Sequence, residues 1–161
     1  MNISENSRVW IYQSNRPFTT DEQEAISHHL AVFIKEWQAH GQQLAAAFEI
    51  RYNRFIILSV DEEIAEASGC SIDKSVSLMK AIEQEFGLSL FDRLNIAYRE
   101  GDEIKSCDRQ DFESLIAEGK IHENSIVFNN LVQTKADLNT KWEVAFRQSW
   151  HAQVFTLQTE V

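Results

Sequence analysis

The 161 residues carry 15 Lys and Arg against 25 Asp and Glu, a formal net charge of −10, with 43% hydrophobic residues, five Gly and one Pro. That balance fits a single domain, 1–161, able to bury its own core, and is too poor in Pro and Gly for a disordered or collagen-like chain. It argues against a nucleic-acid or anionic-membrane partner, because phosphate backbones are held by clusters of Lys and Arg.

Residues 1–7 are polar and lack a basic start followed by an apolar run, so they do not read as a secretory leader. No window nears the roughly 18 consecutive apolar residues that a membrane span requires, and the expected location is cytoplasmic. Cys70 and Cys107 are too few and too widely spaced for a disulfide framework or a C-x-x-C site. His28, His29, His40, His122 and His151 show no ligand spacing, so neither a metal nor another cofactor is expected.

In chain order, the apolar run 9–12, followed by Ser14-Asn15-Arg16-Pro17, predicts a buried strand. Thr20 with Gln23 three residues on predicts a capped helix whose inner face is Ile26, Leu30, Phe33 and Trp37, ending near Gly41. Phe48, Ile50 and Tyr52 alternate with Glu49 and Arg51 as on a half-buried strand, Asn53-Arg54 makes the turn, and 55–60 returns as a strand apolar on both faces. A short acidic helix over 61–68 is expected to stop at Gly69. Ser71 would cap a second helix with Ile72, Val76, Met79, Ile82 and Phe86 inward, up to Gly87. Leu94, Ile96 and Tyr98 then alternate as a fourth strand.

Strand, helix, strand, strand, helix, strand is the order of the ferredoxin-like βαββαβ sandwich, an α+β fold. That fold puts its first and third strands in the centre of the sheet, and here those are the continuously apolar ones, while the alternating second and fourth suit the edges. The core would be 8–99. Residues 100–161 would form an α/β extension packed on it, with a hairpin turn at 100–102, a helix over 108–118 and strands at 125–128 and 142–146. The extension is expected to cover the sheet face that the helices leave open; otherwise Trp10 and Tyr12 would lie exposed there and that face would pair in a homodimer.

Three constellations could carry chemistry. Residues 68–75 end in Lys74-Ser75 like a phosphate loop, but Ser68 and Asp73 stand where its two glycines belong, so ATP hydrolysis is not expected. Cys70 lies just before a helix, where a thiolate is favoured, with Ser71 and Lys74 beside it. The acids at 61–66 oppose a thiolate and no nearby histidine serves as a base; the plainer reading is a small buried residue at a helix junction. The third constellation follows from strand parity, which assigns Arg8, Trp10 and Tyr12 to one sheet face with Glu49, Arg51, Asn95 and Arg99. Arg8, Glu49, Arg51 and Arg99 would there line a pocket for a small anionic or planar ligand; otherwise Arg51 and Arg99 pair with acids of the extension or lie along an edge in solvent. Ser149 and His151 share a spacing but lack the orienting acid and oxyanion hole of a triad.

The strings 48–55 (FEIRYNRF), 68–75 (SGCSIDKS), 91–94 (FDRL), 126–130 (IVFNN) and 149–151 (SWH) resemble those of a family of small bacterial proteins that sometimes carry the label "ABC transporter ATPase". The resemblance runs from Arg8 to His151 and implies common structure without any assigned site residues. The activity in that label needs a glycine-bearing phosphate loop, a strand-borne metal-binding Asp and a Leu-Ser-Gly-Gly type signature, none of which this chain has. The reading that follows is a non-catalytic small-ligand-binding or protein-interaction module. The alternative is an enzyme or redox sensor using Cys70.

Overall fold

A computed structural model describes residues 3–157 of the chain. Met1, Asn2 and 158–161, which the sequence reading places at the non-secretory start and at the end of the extension, lie outside the described residues. The chain divides into two compact units: one runs to Phe91 and takes in Gln133–Ala136, the other comprises Asp92–Val132 and the chain from Asp137 onward. The seam therefore falls at Phe91, ahead of the fourth predicted strand rather than behind it.

The first unit contains β1 (Arg8–Gln13), α1 (Thr20–Glu36), the two-residue strands β2 (Gln38–Ala39) and β3 (Gln42–Gln43), β4 (Ala46–Arg51), β5 (Phe55–Val60) and α2 (Gly69–Phe86). Its main sheet is antiparallel in the order β1-β5-β4. β5 lies in the middle and is buried at every position, as its unbroken apolar run requires. Tyr12, Ala46, Ile56, Leu58 and Val60 pack with Ile26 and Leu30 of α1 and Met79 and Ile82 of α2, so both helices cover one face. On the other face Val9, Phe55 and Ile57 are buried as well.

The caps lie a residue or more from their predicted places. Thr19, not Thr20, opens α1: its hydroxyl accepts from the Glu22 amide and the Glu22 carboxylate accepts from the Thr19 amide. Arg16 forks onto both oxygens of that carboxylate at 2.8 Å and also donates to the Phe86 carbonyl, an anchorage the neutral Gln23 cannot offer. Hydrogen bonds from Arg16, and next from the Thr19 amide, hold the Glu22 carboxyl down at about 2. No helix forms over 61–68, where the chain runs through turns. Ser68 caps α2 and Ser71 closes the box from the third position, so Gly69 begins this helix instead of ending the one before.

The second unit contains β6 (Ile96–Glu100), β7 (Glu103–Cys107), α3 (Arg109–Ala117), β8 (Ile126–Phe128), part of α4 (Lys135–Lys141), β9 (Glu143–Ala145), a 3-10 turn at Phe146–Gln148 and α5 (His151–Val154). Its sheet runs β7-β6-β8-β9. Phe112 and Ile116 of α3 pack on Ile96, Tyr98, Val127 and Phe146.

The protein is α+β, and β1, β5 and β4 pair antiparallel in the order expected for the first three predicted strands. The fourth does not join them: 96–100 pairs with β7 and β8 in the other sheet. The outer edge of β1, which a ferredoxin-like sandwich gives to its last strand, is taken instead by Gln133–Ala136. Arg8 bridges Thr134, the Val9 amide donates to the Gln133 carbonyl at 2.9 Å, and the Lys135 amide donates to the Ser7 carbonyl at 2.9 Å.

Candidate functional site

The Ser68–Ser75 stretch forms the first two turns of α2. Cys70 is exposed and lies within the helix rather than before it, which also overturns its reading as a buried junction residue. Lys74, one turn on, is exposed too. Ser71 turns the other way and is 1% exposed. Its hydroxyl accepts from the Ser68 amide and donates to the Ser68 carbonyl, each at 2.7 Å. Its own carbonyl accepts from the Trp37 indole at 2.8 Å. Cys70, Ser71 and Lys74 thus do not converge: two face outward and the third is used as a cap. Ser75, the phosphate-loop serine of the string, is also 1% exposed and donates to the Ile72 carbonyl at 2.6 Å.

Register, which no single strand's alternation reveals, redistributes the arginine face. Cross-strand partners share a face. Trp10 pairs with Leu58 and Leu58 with Phe48, which puts Trp10 and Tyr12 on the helix-covered side with Phe48 and Ile50. Tyr12 is buried there, and Trp10 meets Trp37 edge to face at a centroid distance of 6.0 Å. They are not the exposed aromatics of an open dimer face.

Glu49 and Arg51 pair with Ile57 and Phe55, on the side opposite Arg8. Arg8 lies 4.7 Å over the Trp10 ring and 4.0 Å from Glu62; Arg51 pairs with Glu49 along its own strand. Arg99 belongs to the second unit, where its Nε donates to Glu143 at 2.6 Å. Arg8 and Arg51 share no pocket face, and each of the three guanidiniums has a carboxylate of this chain against it.

Ser149 and His151 do meet, Oγ to Nδ1 at 2.7 Å, but both are buried, with Trp150 stacked on the imidazole at 3.8 Å and Phe112 and Phe146 near it. Burial pulls the His151 pKa down to about 4, so the ring is neutral near pH 7. The pair is thus enclosed among aromatic side chains of the second unit's core.

The sheet of the first unit ends on one side at β1, which Gln133–Ala136 lines, and on the other at β4, beside which no further strand lies among the described residues. β4 reads Ala46-Ala47-Phe48-Glu49-Ile50-Arg51, with Phe48 and Ile50 half-buried, Glu49 exposed, and no Pro, Gly or Lys to discourage pairing. Its alternation signals an edge strand in the sequence; that no strand joins that edge among the described residues does not show there. No family model, curated protein or solved structure matches the chain.

Proposed function

We propose that this chain is a non-catalytic protein-interaction module that accepts an extended segment of another chain along β4. The observation that carries this reading is the contrast between the two edges of one sheet, one lined by the chain's own Gln133–Ala136 and the other without a paired strand among the described residues. In an antiparallel pair alternate residues direct their N–H and C=O groups away from the neighbour, so about half of β4's backbone groups point at solvent. Added strands bind through those groups and are selected by the flanking side chains. The scattered arginines favour a protein partner over a small anionic ligand.

Residue-resolved hydrogen exchange on the dilute monomer tests this. Alternate β4 amides should exchange at the rate of exposed amides while β5 amides stay slow. Six β4 amides as slow as those of β5 would show the edge already covered and overturn the reading. The exposure of Cys70 in the first turn of α2 supports a second reading, a thiol-based enzyme or sensor. Iodoacetamide near neutral pH separates the two: labelling of Cys70 no faster than a model thiol removes the second, and labelling at least tenfold faster removes the word non-catalytic.

A further inference from the structure

We propose that Gln133–Ala136 is a strap that gates the edge of β1: seated, it closes that edge, and it lifts while the rest of the sheet stays folded. The seat is thin. Arg8 and Thr134 form a single antiparallel bridge, whereas on its other side β1 pairs with β5 along its whole length, from Arg8 to Gln13. The strap holds on through backbone groups: the Val9 amide donates to the Gln133 carbonyl, the Lys135 amide to the Ser7 carbonyl and the Ala136 amide to the Glu5 carbonyl, each at 2.9 Å. Its side chains bury little apolar surface, since Gln133 is exposed and Thr134, Lys135 and Ala136 are half-buried. Segments with few buried apolar contacts open locally, at a free energy well below that of global unfolding.

Two features lower the cost of lifting it. Lys135 and Ala136 are also the first residues of α4. Amides in the first turn of a helix have no partner inside the helix, so their bonds to Ser7 and Glu5 break without disturbing a bond of α4, and water replaces them. The other feature is Ser7, which is 0% exposed: its carbonyl receives the strap, while its hydroxyl has no hydrogen-bond partner among the described residues. A buried, unpaired hydroxyl penalises the closed state, and lifting the strap lets water reach that residue. With the strap lifted, the Ser7 carbonyl and the Val9 amide are free to pair again as they paired with it. The sheet then has a second edge able to accept a strand, whatever β4 does.

Hydrogen exchange at the Val9 amide of the full chain reads the strap directly, with circular dichroism confirming that each variant is folded. In the wild type Val9 should exchange at least about 100-fold faster than the slowest β5 amides, at a rate that low urea leaves unchanged, as local opening requires. Lys135→Pro removes a strap donor yet suits α4, because Pro is favoured at the first position of a helix and Thr134 before it already lies in the bridge. It should speed Val9 exchange about tenfold. Lys135→Ala keeps the amide and should leave the rate near that of the wild type. Ser7→Ala relieves the closed state of its unpaired hydroxyl and should slow Val9 exchange about tenfold. A Val9 amide as slow as those of β5 in the wild type overturns the proposal. So does a Lys135→Pro chain no faster than Lys135→Ala, or a Ser7→Ala chain whose Val9 exchange is not slowed. The β4 amides are read in the same experiment, so a result against the strap is distinct from a result against the β4 edge.

Discussion

His151 has given up its ordinary titration to the core. Its folded pKa of about 4, lowered by burial from 6.5, means that the unfolded chain takes up a proton between those values and the folded chain does not. Stability is therefore greatest above pH 6.5 and falls as the pH drops toward 4, by on the order of 3 kcal/mol across the window. Urea unfolding at pH 7 and pH 4.5 should show that loss, and His151→Gln should flatten it. Glu22, held at about 2 first by Arg16, acts in a lower window: its contribution is present above 4.5 and disappears as the pH falls through 2. The spacing of Ser149 and His151 was visible in the sequence, as was their lack of an acid. The inward turn of Ser71 and Ser75 was not visible, because hydropathy places Ile72 and Val76 inward and gives no sign of serines whose hydroxyls bond to the backbone of their own helix.

At the scale of elements, most strands and helices could be located from apolar periodicity, whereas caps and register could not. At the starts of α1 and α2 two Ser or Thr residues compete for the cap, and the one whose third residue on closes the box, Thr19 with Glu22 and Ser68 with Ser71, takes it. Thr19→Ala and Ser68→Ala should each cost about 1 kcal/mol in denaturant midpoint analysis, and because they cap different helices the double variant should cost about the sum. Alternation along β4 marks which of its residues share a face, but only the pairing of Phe48 with Leu58 and Leu58 with Trp10 tells which face that is. The predicted arginine pocket failed on this point. Burial of β5 on both faces has its own consequence: Ile57→Ala and Leu58→Ala should each cost about 2–5 kcal/mol, whereas in a sheet wet on one side Ile57 would be cheap to truncate.

Across the whole molecule, the α+β class was readable from the order of elements, and the destination of the fourth strand was not. Residues 96–100 have the pattern of a strand in either sheet; the competitor for the edge of β1 is a polar stretch, 133–136, which has no strand signal and acts through backbone groups that every sequence possesses. Occupation of that edge leaves β4 as the edge with no paired strand among the described residues, and the account of function turns on it. The most direct measurement is residue-resolved hydrogen exchange at β4 in the dilute monomer. Alternate β4 amides should exchange at the rate of exposed amides while those of β5 stay slow, and slow exchange at all six β4 residues would contradict the account.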